Sequence, residues 1–119
     1  MTPPLVSIIL CNYSYGRFIA QAIDSVLCQT YGDIELVVID DASTDDSQQV
    51  IASYQGDPRV RTIFHEENRG QAATFNTGFA DSNGSLVAFL DSDDTWKPEK
   101  LAKMVGAFEH GDFLSLIHI

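Results

Sequence analysis

The 119-residue chain is predicted to be an α/β protein, a mainly parallel sheet with helices on both faces, and three observations predict it. Short apolar runs alternate with stretches whose apolar residues recur at helical spacing, strand and helix four times over. The runs are apolar on both faces, as parallel strands are when both sides of a sheet are covered. Two of them end abruptly in carboxylates, Asp40-Asp41 and Asp91-Ser92-Asp93-Asp94, and ligands of open α/β sheets sit beyond the carboxyl ends of the strands.

In order, Leu5 to Cys11 is the first strand, running into the turn-forming Asn12-Tyr13-Ser14-Tyr15-Gly16. From Arg17, the residues Phe18, Ile19, Ala22, Ile23, Val26 and Leu27 make a first amphipathic helix that ends near Gln29 to Gly32. Ile34 to Ile39 is the second strand. Ser43-Thr44-Asp45-Asp46 has the pattern of a capped helix start, with both acids in the first turn, where negative charge suits the helix dipole. Val50, Ile51 and Tyr54 give that helix its buried side, and Gly56-Asp57-Pro58 stops it. Val60 to Phe64 is a shorter third strand. A third helix starts at about Gly70, with Ala72, Ala73, Phe75, Asn76 and Phe79 along one broad side, and ends at Ser82-Asn83-Gly84. Leu86 to Leu90 is the fourth strand, and Pro98 opens a last helix bearing Leu101, Met104, Val105 and Phe108. Bringing the ends of strands one, two and four to one crevice requires the order 3-2-1-4.

One domain is expected over residues 1–112. The apolar run Phe113 to Ile119 ends without turn chemistry, so 113–119 is either a strand cut short or a tail foreign to the fold. The hydrophobic share of 45% suffices for a core, and the formal net charge of -10 argues against nucleic acid or anionic lipid as the main partner. No apolar run reaches the length of a membrane span, and Met1-Thr2-Pro3-Pro4 lacks the features of a signal peptide, which makes a cytoplasmic location the expectation. Cys11 and Cys28 are expected to be reduced and packed.

Three acids within four residues repel one another, and a cation is the natural means of keeping them ionised near neutral pH; oxygen-only ligands favour Mg2+ or Mn2+. The plainer alternative is a solvated turn in which Asp93 or Asp94 caps the next helix. With tyrosines after the first strand and a second acidic strand end, the residues describe a nucleotide pocket: an aromatic face for a base, a carboxylate for a base N–H or ribose hydroxyl, and a metal clamp for a diphosphate. Neither the Walker lysine motif nor Gly-x-Gly-x-x-Gly is present, so the metal would have to hold the phosphates.

Val6-Ser7-Ile8-Ile9-Leu10-Cys11-Asn12-Tyr13, Val38-Ile39-Asp40-Asp41-Ala42-Ser43-Thr44-Asp45, Asn68-Arg69-Gly70 and Asp91-Ser92-Asp93-Asp94, in this order and at these spacings, resemble the amino-terminal half of a family 2 glycosyltransferase. The resemblance covers Leu5 to about Asp112. It implies a Rossmann-like GT-A three-layer sandwich, truncated here after the fourth strand and helix. It further implies nucleotide contacts at Tyr13, Asp41, Arg69 and Asp91, with Asp93 the better metal ligand and Asp91 beside it. The implied donor is a nucleotide-diphosphate sugar, a UDP-sugar above all, and the acceptor an unknown glycan or lipid of cell-envelope polysaccharide synthesis. Cys11 replaces a frequent proline and Ser14 a common asparagine. The family's general base is expected in a half this chain lacks, so no catalytic residue is assigned and the chain alone is expected to be inactive.

Other readings stand beside these. Tyr13 covers the edge of the first helix in one, and Tyr15 is read as packing. Arg69 has a surface pairing with Glu66 or Glu67 as its alternative, and Asn76 a hydrogen bond to the neighbouring loop. His65, His110 and His118 are read as ordinary surface or strand-end residues. A signalling receiver domain would put its acid pair after the first strand and a lone aspartate after the third, where this chain has Cys11-Asn12 and His65-Glu66. A non-catalytic sugar-nucleotide-binding relic remains the alternative to an active parent.

Overall fold

The structure, a computed structural model, describes residues 4–109. Four strands, β1 (Val6–Asn12), β2 (Ile34–Asp40), β3 (Val60–Phe64) and β4 (Leu86–Asp91), alternate with helices α1 (Ile19–Leu27), α2 (Ser47–Ala52), α3 (Gln71–Ala80) and α4 (Lys100–Glu109). The sheet is parallel throughout, in the order β3-β2-β1-β4, the order expected. Asn12 pairs with Asp40 and Cys11 with Asp91, so three strand ends lie level at one edge.

Alternation along each strand divides the apolar side chains between two faces. Val6, Ile8 and Leu10 of β1 with Leu36 and Val38 of β2 meet Ile19, Ala22, Ile23 and Val26 of α1, Ile51 of α2, and Leu101, Met104 and Val105 of α4. The opposite face, built on Ile9, Val37 and Ile39, is covered by α3 through Phe75. Helix α3 turns a different stripe inward from the one its aromatic pattern suggests: Thr74 and Gly78 are its buried residues, Ala72 and Asn76 are exposed, and Phe79 is 56% exposed. Close approach explains the difference. A Cβ on Gly78 would lie 2.5 Å from Ile39 Cδ1 and 2.7 Å from Ile9 Cγ2, so only a bare Cα fits there.

Two helix starts also differ from expectation. Helix α2 begins at Ser47, not at Ser43, because the Ser43 hydroxyl donates to Asp40 and its backbone N–H to the same carboxylate. Asp45 nevertheless serves the helix start, accepting from the backbone and hydroxyl of Ser47 and reaching across to the N–H of Gly16. Helix α4 begins at Lys100, after Pro98 rather than at it. Gln29, buried at the end of α1, holds that junction by donating to the carbonyls of Ser25 and Lys97 and accepting from Leu101 N–H at 3.0 Å. Trp96 is buried nearby, its N–H on the Ser25 hydroxyl, which ties the segment after the acidic strand end to α1. Cys11 is half-buried and free as expected; Cys28, expected to be packed, is exposed. The segment 113–119 and residues His110 and His118 lie outside the described residues.

Candidate nucleotide site at the strand ends

At the carboxyl edge of β1, β2 and β4 opens a cavity of about 500 Å³ whose walls include Tyr13, Tyr15, Asp41, Asn68, Asp91 and Asp93. The loops bounding it are held in unusual backbone shapes. Ser14 and Ala42 both have positive φ, 56° and 59°, a left-handed conformation that costs energy outside glycine and concentrates at functional sites. Ala42 turns the chain so that Ser43 N–H returns to Asp40 Oδ2 at 2.9 Å. Ser14 N–H in turn reaches Ser43 Oγ at 2.8 Å. The first two loops are thereby stitched together.

The two adjacent acids of β2 separate in role. Asp40 is fully enclosed, its carboxylate accepting from Asn12 Nδ2, the backbone and hydroxyl of Ser43, and Gln48 Nε2. Asp41 is 4% exposed yet lines the cavity. Its Oδ1 lies 2.9 Å from His65 Nδ1 and accepts from Arg69 N–H at 2.9 Å, while Oδ2 accepts from Gly70 N–H at 2.9 Å. Burial pushes its pKa up, but the bonds from His65 and the two backbone N–H groups outweigh that and hold the carboxyl below its ordinary value. Gly70, at φ 91°, takes a shape that favours glycine and so brings its N–H onto the carboxylate.

His65, read as an ordinary surface or strand-end residue, directly follows β3 and is buried rather than on the surface. It is 8% exposed, with Nε2 2.9 Å from Thr77 Oγ1 on α3. The Arg69 side chain is exposed, absent from the cavity wall, and in none of the ion pairs among the described residues, so the pairing with Glu66 or Glu67 is not seen; its backbone is what reaches Asp41. Tyr15, read as packing, lies on the cavity wall as well as 6.3 Å from the Phe18 ring. Tyr13 and Tyr15 are 47% and 46% exposed, leaving ring surface open to a ligand. Asn12 and Asn68, part of the sequence segments above but given no role there, also line the cavity. An asparagine closing a largely apolar strand was the available signal for the first: Asn12 is 2% exposed and bonds Asp40 at 2.9 Å.

On the other side, Asp91 and Asp93 are exposed on the cavity and Ser92 between them is buried. Desolvation, followed by the charges of Asp93 and Asp94, raises the Asp91 pKa. Asp94 is a turn residue: its carboxylate accepts from Thr95 N–H, and no helix starts there. Cys11, against the same wall, has its thiol pushed up to about 12 by burial and by Asp91 and Asp41, which keeps it protonated. Among the described residues no three His, Cys, Asp or Glu side chains are gathered as a metal cage. Two carboxylates alone fit a hard cation that takes its remaining ligands from water and phosphate, the habit of Mg2+ rather than of a structural metal.

A family model described as glycosyl transferase family 2 matches residues 7–117. The chain belongs to glycosyl transferase family 2. It is 46% identical over 115 residues to an uncharacterized glycosyltransferase of Nostoc sp., alr2836, a match spanning 95% of this chain and 35% of the relative. Among solved structures, S. aureus TarS 1-349 in complex with UDP-GlcNAc superposes with a TM-score of 0.82 at 28% identity, over 89% of this chain and 32% of that one. The mannosyltransferase PcManGT of Pyrobaculum calidifontis, in complex with GDP-Man and Mn2+, gives 0.81 at 28% identity, over 88% and 32%. The chain thus spans about a third of the length of these three proteins, and its α/β Rossmann-like sheet is that of its GT-A neighbours.

Proposed function

We propose that this family 2 chain is the nucleotide-sugar-binding half of a glycosyltransferase that moves a sugar from a nucleotide-diphosphate donor, a UDP-sugar, to an acceptor hydroxyl on a glycan or lipid of the cell envelope. The observation that carries the reading is that one cavity joins a pre-oriented carboxylate, Asp41, to a cation-seeking pair, Asp91 and Asp93. With Oδ1 accepting from two donors and Oδ2 from one, a lone pair on Oδ2 remains for the ring N–H of a uracil. Tyr13 supplies a face for the base. Asp91 and Asp93 would hold Mg2+ or Mn2+, which when bound supplies positive charge to the leaving diphosphate. The neighbours' complexes with UDP-GlcNAc and with GDP-Man and Mn2+ support both halves of the reading.

In this chain's own residues the binding half of the chemistry is orientation: Asp41 fixes the base, and the diphosphate is thereby carried toward the Asp91 and Asp93 end of the cavity. No residue here is assigned to deprotonating an acceptor, so residues 1–112 are read as the donor-binding unit and the isolated chain as inactive in transfer. No helix among the described residues is long and apolar enough to cross a membrane, and the site is read as facing the cytoplasm, where nucleotide sugars are found.

Calorimetric titration of UDP into the chain with and without Mn2+ tests the reading. Asp93→Asn removes one ligand charge at nearly constant volume, so UDP affinity in Mn2+ should fall roughly tenfold to a hundredfold, while Asp45→Asn, at the start of α2, leaves it unchanged. Equal binding in Mn2+ and in chelator would show that no metal clamp operates.

A further inference from the structure

We infer that His65 is a positioning residue that aims the Asp41 carboxylate and thereby sets base selectivity, favouring nucleotides whose base presents a ring N–H, such as uracil or guanine, over cytosine. The inference rests on the reading above that Asp41 meets the base.

Three contacts make His65 a strut between two layers. Its backbone N–H donates to Asp40 O at 2.9 Å, continuing the pairing of β2 with β3 past the last strand residue. Its ring spans from Asp41 Oδ1 on one side to Thr77 Oγ1 on the other, 2.9 Å each way. Thr77 is itself held, its hydroxyl 3.0 Å from Ala73 O within α3. The carboxylate can only accept, so Nδ1–H donates to Asp41, and Nε2 and the Thr77 hydroxyl bond one another at the far end of the ring.

Remove the ring, and only Arg69 N–H and Gly70 N–H hold the carboxylate, two neighbouring groups of one loop. With one bond on each oxygen they hold the carboxylate from one loop only, against a terminal torsion that is broad for aspartate. His65 adds a third point of attachment from a different element, and the lone pair left on Oδ2 then has one direction. Uracil and guanine carry a ring N–H that such an acceptor can bind. Cytosine carries a bare ring nitrogen at the corresponding position and would face it lone pair to lone pair.

Calorimetric titration of UDP and CDP in Mn2+ tests this on the parent chain and on three variants. The parent should prefer UDP at least about tenfold, the worth of one bond to an ionised acceptor. His65→Ala should weaken UDP, leave CDP as it was, and bring the ratio near one. His65→Asn places an amide N–H where Nδ1–H stood and should restore most of the preference. Thr77→Val, which keeps the shape of the side chain but frees the far end of the ring, should lower the ratio to an intermediate value. An unchanged ratio in His65→Ala, or equal weakening of both nucleotides, would overturn the inference while leaving Asp41 as the base contact. A parent that binds UDP and CDP alike would overturn the role of Asp41 itself. Should His65→Ala not fold, Thr77→Val decides: a full parental ratio in that variant overturns the strut.

Discussion

Asp40 and Asp41 are neighbours in sequence with opposite duties: Asp40 is sealed beneath the first two loops by four donors from Asn12, Ser43 and Gln48, and Asp41 stands on the cavity wall. A carboxylate that serves four donors is the acceptor around which both loops are folded. Asp40→Asn would set an amide N–H2 against some of those donors, at a cost of about 3 kcal/mol of folding stability. Its effect on UDP affinity should follow only from that instability. Urea unfolding of Asp40→Asn and Asp41→Asn, alongside UDP titration, checks the division: the first variant should show the larger loss of stability and the second the larger relative loss of UDP affinity in conditions where both are folded.

Ala42 is held at φ 59° directly after this pair. A left-handed alanine costs roughly 1–2 kcal/mol, and a glycine there avoids the cost but enlarges the freedom of the unfolded chain by about 0.4–1 kcal/mol. Ala42→Gly should therefore stabilise the chain by about 0.5–1 kcal/mol without altering UDP affinity, because the backbone already has the shape glycine would adopt. A lower midpoint of urea unfolding in this variant would mean that the Ala42 methyl contributes packing that outweighs its strain.

Strand positions and the order of the sheet were legible because burial on both faces leaves a continuous apolar run, and the acidic strand ends were legible because Asp40 and Asp91 break such runs. What escaped depends on side-chain partners that a pattern of apolar residues does not report. Ser43 carries a helix-capping signature, but its hydroxyl is engaged by Asp40 and its Oγ by Ser14 N–H. His65 follows a short, polar strand and is read as an ordinary surface or strand-end residue, whereas its ring bonds Asp41 and Thr77. In α3 the phenylalanines dominate the pattern, yet proximity to Ile9 and Ile39 selects Gly78 for the inner stripe. Periodicity reports which residues are apolar, and close approach between layers depends on which are small.

Acid should weaken the fold through the same carboxylates. The pKa of Asp41 is depressed in the folded chain, and so is that of Asp45, chiefly by its bond from the Ser47 hydroxyl. A depressed carboxyl contributes stability that is fully present above its unfolded value, about 3.9, and is lost as pH falls through the folded value. Stability should therefore hold from neutrality to about pH 5 and decline below about pH 4. Asp41→Asn should flatten that decline more than Asp45→Asn, because Asp41 is buried and Asp45 is exposed to screening solvent. Urea midpoints at a series of pH values in chelator measure it, and parallel acid limbs for the parent and Asp41→Asn would refute the assignment.

Asp91 should show the reverse balance between stability and binding. It ends β4 beside Asp93 and Asp94, and it pairs in register with Cys11, whose protonated thiol offers no compensating charge. Without a cation, three carboxylates in one turn repel one another, so Asp91→Asn should leave the metal-free chain as stable as the parent or more stable, by less than about 1 kcal/mol because the group is exposed. With Mn2+ and UDP present the ranking should invert, since the parent gains binding free energy that the variant largely forgoes. Thermal unfolding in chelator, in Mn2+ alone and in Mn2+ with UDP separates the two effects. A variant less stable than the parent in chelator would assign Asp91 to the support of the strand end, and a variant with the parent's full UDP-dependent rise in Tm would remove it from the cation site, leaving Asp93 as the carboxylate on which the cation depends.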